Sequence, residues 1–126
     1  MENNLVGWFE IPVTDMDRAK KFYDTVFQIE IQLQDLGGTK MGWFPWTEGK
    51  QGSSGSLIQN KDWYTPSETH GVLIYFSSAD VNNELGRIED AGGKILQNKT
   101  QISPDIGYMA LFSDTEGNRL ALHSRQ

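Results

Sequence analysis

Apolar and polar positions alternate from Trp8 to Val13, switch to helical spacing after Asp15, and make the same switch again 65 residues later. In the first strand Phe9, Ile11 and Val13 share one face, while Trp8, Glu10 and Pro12 share the other. The apolar face is expected to pack on a helix, leaving the mixed face for a cavity or water. Asp15 suits a helix cap. Behind it Met16, Ala19, Phe22, Tyr23, Val26 and Phe27 form an apolar stripe opposite Asp17, Arg18, Lys20, Lys21 and Asp24. The second copy sets Val72, Ile74 and Phe76 against Leu73, Tyr75 and Ser77. It then opens a helix at Asp80 with Val81, Leu85, Ile88 and Ala91 inward, stopped by Gly92-Gly93. Asp15 matches Asp80, Met16 matches Val81, Tyr23 matches Ile88, Val26 matches Ala91, and Ile31 matches Leu96. A repeat of this length predicts two similar units with a functional site where they meet.

The remaining strands of the first unit are expected over 30–36, 40–46 and 56–60, with Gly37-Gly38 as a turn. Residues 94–97, 108–113 and 119–124 complete the second, and Asp114-Thr115-Glu116-Gly117-Asn118 reads as a hairpin turn with Gly117 at positive φ. The segment 48–55 is rich in glycine and serine and poor in apolar surface, so it is read as a mobile loop or flap. The expected fold is α+β: two βαβββ modules, about 5–60 and 71–124, joined by a linker over 61–70 in a single domain spanning 1–126.

A chain of 126 residues buries roughly two-thirds of the surface its unfolded form exposes, so it folds without staples. The lack of cysteine excludes disulfides, zinc–thiolate sites, iron–sulfur clusters and thiol nucleophiles. A formal charge of -6, with Lys20, Lys21 and Lys94 scattered, argues against a nucleic-acid partner. The apolar runs are too short to span a bilayer, and Met1-Glu2-Asn3-Asn4 is polar with no basic start, so the expected location is cytoplasmic, away from membranes. Asn98-Lys99-Thr100 is then an accidental glycosylation acceptor. Gly52-Ser53-Ser54-Gly55 lacks the lysine and helix of a phosphate loop, and no nucleophile elbow or dinucleotide fingerprint occurs.

The opening Phe9-Glu10-Ile11-Pro12-Val13-Thr14-Asp15-Met16-Asp17-Arg18-Ala19, the Phe22-Tyr23 pair and the turn Asp114-Thr115-Glu116-Gly117-Asn118 resemble the vicinal oxygen chelate superfamily. That superfamily holds glyoxalase I, bleomycin resistance proteins and extradiol dioxygenases. The turn differs from the family pattern in carrying Thr115 for proline. The resemblance implies that two modules curl their sheets into a cup with helices outside and ligand inside, and that relatives pair as homodimers. Metal-dependent members place a His or Glu on the cup side of four strands. Carried across, those positions hold Trp8, Leu73, Ala121 and a residue within 56–59, and no His, Asp or Glu occurs from Gly49 to Lys61. No metal and no other cofactor is therefore expected, and lactoylglutathione lyase or dioxygenase chemistry is not expected either. The bleomycin-resistance type, which binds a planar molecule by stacking and shape, is closer.

The expected ligand-binding residues are Trp8, Glu10, Trp43, Leu73, Tyr75, Ala121 and His123, and the catalytic candidates are Glu10 and His123. Trp8 either stacks on a flat ligand or plugs the cavity. Glu10 either accepts a proton or holds a cation, or else sits at the rim, solvated or paired with Arg119. His123 shares strand parity with Ala121 and could meet Glu10 as an acid–base pair, or be a plain exposed histidine near the carboxyl end. His70 falls in the linker. Trp43 is favoured over Trp46 because the two lie on opposite strand faces. The leading expectation is a metal-independent cup binding a small aromatic or amphipathic molecule. Its rivals are a lyase or isomerase using Glu10 and His123 or a relocated metal site, and an interaction module with a cavity under roughly 300 Å3.

Overall fold

The computed structural model describes residues 4–126; the polar start Met1-Glu2-Asn3 lies outside the described residues. The first module runs β1 (Trp8–Pro12), α1 (Met16–Phe27), β2 (Gln32–Leu36), β3 (Thr39–Trp43) and β4 (Ser54–Gln59). The second runs β5 (Tyr75–Ser77), α2 (Val81–Ile88), β6 (Lys94–Ser103), β7 (Gly107–Ser113) and β8 (Arg119–Ser124). Hydrogen bonding divides the strands into two four-stranded sheets, ordered β1-β4-β3-β2 and β5-β8-β7-β6. In each sheet the first strand pairs parallel with the last, and the other pairings are antiparallel. The α+β class and the repeated βαβββ order are as the sequence pattern predicts.

The repeat extends to the start of each helix. Asp15 accepts from the amide of Arg18 at 3.0 Å, and Asp80 accepts from the amide of Asn82 at 2.9 Å. Each first helical amide is also satisfied by the last strand of its own module. Met16 N donates to Gln59 Oε1 at 2.8 Å, and Val81 N donates to Ser124 Oγ at 3.2 Å, with Gln59 and Ser124 again 65 residues apart. Orphan amides at both helix starts are thus closed by side chains.

One apolar cluster serves both modules. Ile11, Val13, Phe22, Tyr23, Val26 and Leu57 join Val81, Leu85, Ile88, Ala110, Phe112 and Leu122 beneath the two helices. The helices also meet directly through Arg87 Nε, which donates to the Val26 carbonyl at 2.7 Å. The turn after β7 clasps the first module. Glu116 Oε1 accepts from the amides of Thr14 and Asp15, both at 2.9 Å, and Arg18 Nε pairs with Glu116 Oε2 at 2.7 Å. Those donors outweigh the desolvation of a carboxylate with no exposed surface and hold Glu116 down at about 2. Its neighbour Asp114 accepts from the Tyr23 hydroxyl at 2.7 Å and from the Asn118 amide groups, yet burial still raises its pKa. Burial first, then the Asp114 charge, keeps the Tyr23 phenol protonated.

Several boundaries differ from the sequence pattern. The strand expected over 72–77 is regular only from Tyr75, although the Ile74 carbonyl still accepts from Ala121 N at 2.9 Å, so Leu73 precedes the strand. β6 runs ten residues, through Ser103 and past the expected end at Gln97. It is a sheet edge whose register is broken by irregularities, and Lys99 there pairs with Asp80 at 3.0 Å and lies over the Tyr108 ring. β3 stops at Trp43, before Pro45. β4 begins at Ser54, inside the segment read as a flap. Gly55 is buried there and a Cβ on it would sit 2.3 Å from the Phe9 ring, so this glycine is a packing requirement and not a hinge. Among the described residues no helix is long and apolar enough to cross a membrane.

Candidate functional site

Strand parity brings three of the expected residues together on the outer face of the first sheet. Glu10 pairs in register with Ser56, and Ser56 pairs with Trp43, so all three point away from the helices, with Trp8 two residues before Glu10. The indoles of Trp8 and Trp43 form a corner, their ring centroids 6.4 Å apart and their planes at 86°. Trp8 Nε1–H donates to Glu10 Oε2 at 3.3 Å, and the Tyr64 hydroxyl donates to Glu10 Oε1 at 2.5 Å. Accepting that bond, the carboxylate raises the Tyr64 pKa, so the phenol stays a donor. Among the described residues the ion pairs are Arg18–Glu116, Lys20–Asp24, Arg87–Glu84 and Lys99–Asp80, and none of them reaches Glu10. Ser56 Oγ is fully buried and has no hydrogen-bond partner among the described residues.

The outer face of the second sheet is built on the same register with different side chains. Tyr75 pairs with Ala121, which pairs with Leu111, and Ser77 pairs with His123, which pairs with Met109. Tyr75 is exposed and Ala121 is buried. His123 Nε2 lies 2.7 Å from the Ile106 carbonyl. The expected acid–base pair is not assembled: Glu10 is bonded to Trp8 and Tyr64, His123 to Ile106, and they lie on different sheets. Arg119 and His70 border a cavity of about 220 Å3 with Glu10, but no ion pair joins Arg119 to the carboxylate. His70 Nδ1 is bonded instead to the Thr69 hydroxyl at 2.8 Å.

Leu73 and Tyr75 also line a second space, a cavity of about 440 Å3 between the modules, walled mainly by Phe9, Phe27, Phe44 and Phe76. Among the described residues no charged side chain borders it. Phe9 and Phe76 belong to the apolar faces of β1 and β5, which pattern alone assigns to helix packing. Two elements of the first face also escape the sequence pattern. Tyr64 lies in the linker, where no periodicity indicates direction, and Ser56 is a small polar residue with no distinguishing motif.

The fourth position of the implied metal site is now fixed. Glu10 and Tyr75 are equivalent under the 65-residue shift, and their register partners are Ser56 and Ala121. The four positions therefore hold Trp8, Ser56, Leu73 and Ala121. An indole N–H is a donor only, two of the side chains are alkyl, and the single hydroxyl is neutral. Among the described residues no group of three or more His, Cys, Asp or Glu is placed to hold a metal ion. This donor set does not fit the divalent ion of metal-dependent relatives.

The sequence model of the Glyoxalase/Bleomycin resistance protein/Dioxygenase superfamily matches residues 5–122. A glyoxylase-like domain-containing protein of Didymella fabae is 27% identical over 126 residues, covering 95% of this chain and 93% of that protein. Among solved structures, TnmS3, an antibiotic-binding protein from Streptomyces sp. CB03234, aligns over 100% of this chain and 99% of its own, at 23% identity and a TM-score of 0.67. A glyoxalase I mutant from Zea mays aligns over 94% of this chain at 18% identity and a TM-score of 0.70. The chain spans 46% of that maize protein, about half its length. At these identities the solved structures establish the fold.

Proposed function

Because the chain belongs to the Glyoxalase/Bleomycin resistance protein/Dioxygenase superfamily but its four cup positions carry no metal donor set, we propose that it binds a small aromatic or amphipathic molecule without a metal. The role is of the resistance, sequestration or sensing type. The observation that carries this reading is the replacement of a chelating group by Trp8, whose indole forms a right-angled corner with Trp43 beside Glu10. A flat ligand entering that corner gains stacking on one indole and edge contact with the other, about 0.5–1.5 kcal/mol per aromatic pair beyond the area buried. Glu10 and Tyr64 supply the polar contacts that fix its orientation. Leu73, Tyr75 and Ala121 offer the apolar counterpart on the second module, and His123 lies beside them. The antibiotic-binding relative of the same fold is consistent with this role.

We infer a homodimer, as the family resemblance implies, with the exposed side chains Leu33, Leu36, Trp46 and Leu96 as apolar surface for a partner to cover. Sedimentation equilibrium is expected to give twice the chain mass.

The direct test is to dialyse the protein against a chelator, measure its metal content and titrate planar aromatic compounds while following tryptophan fluorescence. Quenching that saturates in the metal-free protein and falls at least tenfold in affinity in Trp8→Ala supports the proposal. Quenching that requires a restored divalent ion contradicts it.

A further inference from the structure

We infer that the Trp8–Trp43 corner selects ligands carrying a positive charge, in particular a protonated amine next to an aromatic ring. This inference rests on the binding reading above and names the chemical class of its ligand. The Glu10 carboxylate is half-buried, and both bonds the structure gives its oxygens come from neutral donors, the Trp8 indole and the Tyr64 hydroxyl. Neutral donors orient a carboxylate but leave its charge uncompensated. Among the described residues no Lys, Arg or His forms an ion pair with it. Elsewhere in the protein a carboxylate as enclosed as Glu116 is matched by Arg18.

The surrounding rings point the same way. Two indole planes at 86° offer their negative faces around one volume, the arrangement that attracts a cation within about 6 Å of a ring centroid. Both indoles keep free surface, Trp8 at 44% and Trp43 at 38% exposure. A third, independent feature lies in the floor. Ser56, in register with both Glu10 and Trp43, has a buried hydroxyl that makes no hydrogen bond among the described residues. An ammonium is a multiple donor and can use both the carboxylate and such an unpaired acceptor. The second module has none of this at the matching places, where Leu73, Tyr75 and Ala121 stand. The 440 Å3 cavity, bordered by no charge among the described residues, would accept uncharged molecules and not ammonium ions.

The test uses three probes of one shape and different charge: benzylamine as its ammonium form, benzyl alcohol, and phenylacetate, each titrated into the full chain at pH 7 by calorimetry and tryptophan fluorescence. Benzylamine is expected to bind at least tenfold tighter than benzyl alcohol, with phenylacetate weakest and the amine affinity falling as salt rises. Glu10→Gln is expected to remove the amine preference while circular dichroism and thermal unfolding stay as in the parent, and Glu10→Asp to keep part of it. Equal or tighter binding of the alcohol or the anion overturns the charge selection and leaves the aromatic-binding reading standing. If planar neutral compounds quench tryptophan and benzylamine does not bind, the inference fails alone. If nothing quenches, both fail.

Discussion

At positions related by the 65-residue repeat, the first module carries Trp8, Glu10 and Ser56 where the second carries Leu73, Tyr75 and Ala121. The backbones agree closely: Glu10 faces Ser56 across a parallel pair as Tyr75 faces Ala121. The connections before the last strands differ in the opposite sense. Module two has Asp114-Thr115-Glu116-Gly117-Asn118, a hydrogen-bonded clasp on the first module, where module one has Gly49-Lys50-Gln51-Gly52-Ser53. Only the glycine at positive φ survives in both, Gly117 at 85° and Gly52 at 109°. The polar anchoring thus sits on one half of the duplicated scaffold, and the proposed binding chemistry on the other.

The largest test of this division is Asp114→Ala. It strips acceptors from the Tyr23 hydroxyl, the Asn118 side chain and two backbone amides. A loss of about 3–5 kcal/mol is expected in urea unfolding. Its counterpart Gly49→Ala, at φ 81° in open space, should cost about 1 kcal/mol. Equal costs would mean that the two turns contribute alike.

Next in size is the acid dependence carried by Glu116. Its pKa falls from 4.5 unfolded to about 2 folded, so its stabilisation is complete above the unfolded value and is lost as pH drops through the folded one. With the half-exposed Arg18 partner screened by water, this is on the order of 2 kcal/mol. Asp114, raised by burial, works in the other direction, because its folded form holds a proton more tightly and so favours folding in acid. Glu116→Gln should therefore be less stable than the parent at neutral pH and converge on it towards pH 2. Parallel stability curves for the two proteins would contradict the assignment.

A smaller pair exchanges the floors of the two faces. Ala121→Ser buries a hydroxyl where alanine now fits and should cost about 1–3 kcal/mol, whereas Ser56→Ala removes an unpaired buried hydroxyl and should gain about 1 kcal/mol. If Ser56 serves ligand, the stabilised variant binds amine less well, a trade that thermal unfolding and calorimetry read separately. The smallest stability effect, within about 1 kcal/mol, is expected for Trp43→Ala, since the ring is partly exposed and the proposal assigns it to binding.

Much of the fold was legible because period-two and period-3.6 patterns recur at a fixed offset. Asp15, Asp80 and Gly117 could be placed by their own chemistry as caps and a turn. Where pattern failed, something non-periodic decided the structure. Beyond Gln97, β6 is a polar, largely exposed edge strand, and no apolar face announces it. Gly55 looks like a flexible residue but is dictated by the ring of Phe9, a contact across 46 positions of chain. Within the candidate site, the shared face of Trp8, Glu10 and Trp43 followed from strand parity. Tyr64 did not, because a linker has no period to orient it. The Glu10–His123 pairing failed because parity fixes which face a residue takes, not which sheet it shares.

The most direct test is the set of indole N–H resonances in a nitrogen-15 spectrum of chelator-dialysed protein titrated with benzylamine. The Trp8 and Trp43 signals should shift with saturation, and the shifts should follow the same binding curve. Unmoved Trp8 and Trp43 signals, or shifts that begin only after a divalent metal is added, would contradict metal-free binding at this face.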